Sequence, residues 1–100
     1  MKKLELAKDF ARSLKDAAAE RIILYGSVAR GEDTEESDVD ILVLAKDKRA
    51  TRKQVIKRAI DVLLDTGTYI SVKVLTPGEY EQLQDTHFIR QIREEGVVIG

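Results

Sequence analysis

The sequence predicts an α+β fold, an α/β sandwich in which a small mixed sheet carries helices mainly on one face. Two observations lead there. Three short apolar runs rich in β-branched residues (21–25, 39–44 and 69–75) are separated by segments whose apolar residues recur at helical spacing, and that change of period marks layered helices and strands. The chain has 100 residues, 43% of them hydrophobic and 35% charged, which suits one domain (1–100) with one modest core and excludes a disordered or collagen-like chain.

Each element follows in order. Leu4, Ala7, Phe10, Ala11, Leu14, Ala17 and Ala18 recur at helical spacing, so residues 3–19 read as an amphipathic helix. Residues 21–25 form a strand ended by Gly26, where a short helical turn begins. Residues 39–44 form a second strand, apolar on both faces after Asp40 and therefore central. Val55, Ile56, Ala59, Ile60, Leu63 and Leu64 repeat in pairs, giving a helix over 51–66 with Gly67 as its stop. Residues 69–75 alternate as a third strand. Thr76-Pro77-Gly78-Glu79 is a capping box with proline at the first helical position, opening a short helix through Leu83. Thr86 caps a last helix built on Phe88, Ile89 and Ile92. Residues 97–99 close the fold as an edge strand and, being exposed at an edge, predict self-association as a homodimer or contact with a partner.

Composition narrows the function. Without cysteine, disulfides, thiol catalysis and zinc fingers are excluded. No apolar run approaches the ~20 residues of a membrane span, and the N-terminus turns acidic too early for a secretory signal, so a cytoplasmic protein is expected. The absence of asparagine, with many charges, fits a thermophile. Formal net charge is −1, but the charges are segregated. Residues 32–40 hold six acids and no base, whereas residues 46–58 hold seven bases and one acid. The basic block reads as a solvated helix face, since Arg52, Lys53, Lys57 and Arg58 lie off the apolar stripe. No aromatic residues interleave it, which makes nucleic acid the less favoured partner. The acidic loop 32–36 reads as a solvated connector. His87, the lone histidine, is placed at the surface, Tyr25 in the core and Tyr80 as a helix-face anchor.

The stretch that carries chemistry is Leu24-Tyr25-Gly26-Ser27-Val28-Ala29-Arg30-Gly31 followed by Ser37-Asp38-Val39-Asp40-Ile41. Glycine lets a phosphate approach the backbone, and a serine hydroxyl with free N–H groups at a helix start can hold phosphate oxygens. Arg30 is suited either to a phosphate or to the last carbonyls of its own helical turn. Asp38 and Asp40 project from one strand face with α-carbons roughly 6.6 Å apart. Two carboxylates that close repel by roughly 3 kcal/mol at an effective dielectric of 20, and a divalent cation reverses the sign. Oxygen-only donors suit Mg²⁺. A phosphate cradle beside such carboxylates is the minimal apparatus of phosphoryl or nucleotidyl transfer.

Gly26-Ser27, ten residues, then Asp38-Val39-Asp40 resembles the signature of the DNA polymerase beta-like nucleotidyltransferase superfamily. The chain as a whole is similar to that superfamily's minimal nucleotidyltransferases, including the Thr76–Glu79 region and the ending Phe88-Ile89-Arg90 to Glu95-Gly96-Val97. The resemblance implies a polymerase beta palm-like fold, with Gly26 and Ser27 on the triphosphate of ATP or another NTP and catalytic Asp38 and Asp40 ligating Mg²⁺. It also implies a helical HEPN-type partner, as in HEPN/MNT toxin–antitoxin pairs, some of which transfer AMP onto a tyrosine of the HEPN ribonuclease. One position departs from the family. The third carboxylate expected on the next strand is Ser71, and Lys73 shares its face. Neither does an acid's work at neutral pH. Asp61, Asp65, Glu79 or a partner are the candidates to replace it. Two readings follow: an enzyme that transfers a nucleoside monophosphate to a protein, and a weak or inactive antitoxin that binds nucleotide and partner. A third, an RNA-binding domain, rests on residues 46–58.

Overall fold

A computed structural model describes residues 2–14 and 18–100. The elements run α1 (Lys3–Ser13), β1 (Ala19–Tyr25), α2 (Gly26–Arg30), β2 (Val39–Ala45), α3 (Lys48–Thr66), β3 (Ile70–Leu75), α4 (Pro77–Gln82), α5 (His87–Glu95) and β4 (Val97–Val98). The four strands form one mixed sheet in the order β3-β2-β1-β4. β1 runs antiparallel to β2 and to β4, whereas β2 and β3 are parallel. The parallel pair is joined through α3, the crossover a parallel connection requires.

The strongly apolar β2 is central, as its sequence predicts. Its odd residues, Val39, Ile41 and Val43, face the larger core with Ile22, Leu24, Ile70 and Val74. On that face α1 contributes Ala7, Phe10, Ala11 and Leu14, and α3 contributes Val55 and Ala59. The even residues Leu42 and Leu44 join Ile23 and Tyr25 in a smaller cluster against Ile89 and Ile92 of α5, with Leu75, Tyr80 and Phe88 at its margin. Helices thus lie mainly on one face, and α5 seals part of the other. Asp40 opens the even series, so the fold places it on the α5 face, where the sheet is only partly covered.

Several boundaries differ from the sequence reading. The first helix ends at Ser13 rather than continuing to residue 19. Ala17 lies outside the described residues. Ala18 adopts a left-handed φ of 54°, which terminates any helix, and Ala19 already pairs with Ala45. α3 starts three residues earlier than its apolar spacing suggests, because the Asp47 carboxylate accepts the Ala50 N–H at 3.1 Å and caps it. Gly67, at φ 75°, ends it. The capping box at α4 is formed on both sides: Glu79 N–H donates to Thr76 Oγ1 at 3.1 Å, and Thr76 N–H donates to Glu79 Oε1 at 2.9 Å. The carboxylates of the acidic loop are exposed, but its backbone is tied down. Lys3 Nζ donates to the carbonyls of Thr34, Glu35 and Ser37 at 2.6, 3.0 and 2.5 Å. His87 is exposed and Tyr80 half-buried, as expected. Among the described residues no helix is long and apolar enough to cross a membrane.

Candidate active site

β1 delivers its chain to the sheet edge of the α5 face and turns at Gly26. The backbone there is left-handed, φ 78°, which glycine alone adopts without strain. A second constraint acts at the same atom. A β-carbon on Gly26 would collide with Oδ2 of Asp40 and would stand 3.2 Å from its carboxyl carbon. Gly26 and Asp40 are therefore in direct apposition, although the sequence separates them by a loop. Ser27 follows, half-buried, in the first turn of α2, and Gly31, at φ 72°, ends that helix.

Asp38 is exposed at the mouth of β2 and Asp40 is half-buried one pleat further in. Burial raises the Asp40 pKa above the ordinary aspartate value, and the Asp38 charge raises it further, while Lys73 and Arg30 oppose the shift. This is the electrostatics of a paired-carboxylate site without its counter-charge. The donors are all oxygen and share a face. They fit a hard divalent cation such as Mg²⁺. Among the described residues no group of three or more His, Asp or Glu side chains is arranged as a complete metal cage, so phosphate and water oxygens would have to finish its coordination.

Ser71 is the direct β3 neighbour of Asp40, on the same sheet face, where the strand alternation of 69–75 puts it. Lys73, two residues on, holds its ammonium 5.6 Å from the centre of the Phe88 ring. Phe88 in turn meets Tyr25 edge to face, at a centroid distance of 5.7 Å. Tyr25 is a core residue, as read from the sequence. Its phenol is pushed up to about 12 by burial and then by the Asp40 charge, so it stays protonated at neutral pH.

The alternative carboxylates do not reach the site. Asp61 and Asp65 belong to α3, which packs on the opposite face of the sheet. Glu79 lies past the far end of β3, roughly 16 Å along the strand direction from Ser71 at ~3.3 Å per residue. It is engaged by Thr76 and by Lys48 Nζ at 3.1 Å. The acid that does arrive is Glu95, which the sequence reading names only within the family-like ending Glu95-Gly96-Val97 and to which it gives no role. From the last turn of α5, Glu95 Oε1 accepts the Gly26 N–H at 3.0 Å, and its two oxygens accept from Arg30 at 3.1 and 3.0 Å. Burial pushes the Glu95 carboxyl up, but the hydrogen bonds from Arg30 and from the Gly26 amide outweigh it and hold it below the usual range. Arg30 thus spends its guanidinium on Glu95, and on Glu32 at 3.4 Å, rather than on the carbonyls of its helix.

Comparison with known proteins places this arrangement. The nucleotidyltransferase domain profile matches residues 4–99. Two proteins of Methanocaldococcus jannaschii are similar along almost the whole chain. "Putative protein adenylyltransferase MJ0141" is 37% identical over 97 residues, covering 95% of this chain and 92% of its own. "Putative protein adenylyltransferase MJ0604" is 35% identical over 95 residues, covering 92% of each. Among solved structures, a nucleotidyltransferase-type protein from Sulfolobus solfataricus superimposes with a TM-score of 0.57 at 22% identity over 95% of this chain and 77% of its own. A toxin–antitoxin structure with AMP-PNP gives 0.59 at 21% identity, over 93% and 72%. A mutant of the toxin–antitoxin MntA–HpeT gives 0.60 at 19%, over 94% and 72%. At those identities the structures speak for the fold, while the profile and the two archaeal relatives speak for the family. By both, the chain belongs to the nucleotidyltransferase domain family.

Proposed function

We propose that this nucleotidyltransferase is Mg²⁺-dependent and moves AMP from ATP onto a protein, and that the acceptor is a helical HEPN-type toxin for which it serves as antitoxin. The observation that carries the reading is the apposition of Gly26 and Asp40, which puts a glycine turn against a carboxylate pair on one open sheet face. The relatives named as protein adenylyltransferases and the toxin–antitoxin neighbour with AMP-PNP favour AMP and a protein acceptor.

In this reading Asp38 and Asp40 hold the Mg²⁺. The ion supplies neutralisation of phosphate charge and Lewis-acid polarisation of the phosphoryl oxygens. Ser27 offers its hydroxyl to a phosphate oxygen. Arg30, fixed by Glu95, holds its guanidinium beside the turn, where a phosphate would compete with Glu95 and Glu32 for it. Gly26, lacking a β-carbon, lets the Asp40 carboxylate lie directly against the turn. A second reading, a slow or inactive binding antitoxin, draws support from one observation: Ser71 occupies the position beside Asp40 and adds no charge that could take a proton from the attacking hydroxyl.

The deciding experiment incubates the protein with Mg²⁺, labelled ATP and the HEPN-type protein encoded beside it, in wild type and in Asp38→Asn/Asp40→Asn. Label on the partner that is lost in the double variant supports the transfer reading. Calorimetric Mg²⁺–ATP binding with no transfer selects the binding module. Binding unaffected by the double variant overturns the site.

A further inference from the structure

The helix α3 has more apolar surface than its own fold uses. Val55 and Ala59 are buried against the sheet, yet the adjoining stripe is open: Ile56 is 45% exposed, Ile60 50%, Leu63 39% and Leu64 78%. Tyr69, just before β3, is 52% exposed beside it. Ile56, Ile60 and Leu63 line, with Tyr69 and Val72, a groove of about 160 Å³ between α3 and β3. β3 is the outermost strand of the sheet and, unlike the two-residue β4 at the other margin, it is six residues long. An uncovered strand of that length beside an apolar stripe is a surface that folded proteins normally pair or cover.

We propose that a second copy of this chain covers it, with the two α3 helices antiparallel about a two-fold axis near Ile60. The charges of α3 select this occupant. About a two-fold at Ile60 the two helices overlap over residues 54–66, where Lys57 and Arg58 lie on one side of the axis and Asp61 and Asp65 on the other. Antiparallel pairing sets the Lys57 side of each copy against the Asp61 side of the other. Parallel pairing would set like against like. Ile56 and Leu64 lie eight residues apart, about 12 Å along the axis, so a two-fold at Ile60 brings each Ile56 onto the other copy's Leu64. Lys57 and Asp61, four residues apart, flank the same side of the stripe. Each Lys57 then meets Asp61 of the other copy, and the pair is made twice. The interface is isologous and closed. It lies on the face opposite Asp40, so it leaves the candidate active site open and does not depend on the function proposed above.

The test is sedimentation equilibrium of the full chain at concentrations up to about 100 µM, a range that captures a micromolar dimer. The expected result is a species of twice 11.3 kDa. Ile60→Glu should yield monomer with unchanged circular dichroism. Lys57→Asp and Asp61→Lys should each weaken the dimer about tenfold or more, because each makes two like-charge contacts. Lys57→Asp/Asp61→Lys together should restore it. A monomeric wild type overturns the proposal. So does a dimer that survives Ile60→Glu, or a double variant no better than the singles. Association seen only with RNA or with a HEPN-type protein would assign the groove to that partner and overturn it as well.

Discussion

Replacing Gly26 with alanine separates the two demands that the structure makes on this position. Gly26, Gly31 and Gly67 have nearly the same left-handed backbone, φ 78°, 72° and 75°. Around Gly31 and Gly67 a β-carbon would meet nothing within 4 Å, whereas at Gly26 it would strike the Asp40 carboxylate. Alanine in this conformation costs about 1–2 kcal/mol. Gly31→Ala and Gly67→Ala should therefore lose that amount and no more. For a domain of this size it lowers Tm by roughly 4–8 °C per kcal/mol. Gly26→Ala carries the same strain and must also turn Asp40 off its rotamer, at about 0.5–1.5 kcal/mol. The stability difference between Gly26→Ala and its two controls is thus small, near 1 kcal/mol by these figures. The functional difference is expected to be large, since a misplacement of about 1 Å at a reacting centre can cost 10²-fold. Thermal melts of the three variants, followed by Mg²⁺–ATP calorimetry and transfer assays, test both parts. If Gly26→Ala binds and transfers like Gly31→Ala, the apposition with Asp40 has no functional weight and the site has been drawn wrongly.

Two further outcomes are expected. Ser71→Asp places a carboxylate beside Asp40 on the same face. It should raise AMP transfer by up to the ~10²–10⁴ that a general base supplies, with little change in ATP affinity. A brisk wild type left unaltered by Ser71→Asp would mean that the proton acceptor comes from elsewhere. Thr76→Ala removes the side-chain acceptor that caps α4 and should cost about 1 kcal/mol, read as a lower denaturation midpoint with unchanged slope. No loss would show that the capping box contributes nothing to stability.

Much of this architecture was legible in the sequence because local chemistry and global packing agree there. The apolar run of β2, the capping box at Thr76–Glu79 and the stop at Gly67 each have one physical meaning. Alternation likewise groups Asp38 with Asp40 and Ser71 with Lys73, and the β2–β3 register brings the two pairs to one face. Where the reading failed, local preference was overruled from outside the segment. Alanine is the best helix former, so Ala18 reads as a continuation of the first helix. The pairing of Ala19 with Ala45 claims the chain for the sheet instead. The paired apolar residues of α3 mark a helix with an apolar stripe, but the sheet beneath the helix ends at β3. Ile56, Ile60, Leu63 and Leu64 of that stripe therefore stay partly exposed.

Glu95 exposes a different limit. A search for a third carboxylate that follows strand positions arrives at Ser71 and stops, because it asks which residue stands beside Asp40 in the sheet. The fold answers through another route. The α5 face needs Ile89 and Ile92 to cover Leu42 and Leu44, and a helix seated by those two residues carries its last turn to the Gly26 turn. Glu95 then reaches a backbone N–H and an arginine that lie 69 and 65 residues away in sequence. Burying α5 and placing an acid at the Gly26 turn are therefore one event. The family-like ending Glu95-Gly96-Val97 marks the residue but not its partners, since its sequence neighbour in the network is Gln91, 3.4 Å away. The acid that the sheet lacks at Ser71 is brought to the site's rim by a helix, where it fixes Arg30 and the Gly26 amide instead of standing beside Asp40. That placement has Glu95 position Arg30 and the Gly26 amide, while the strand neighbour of Asp40 is a serine.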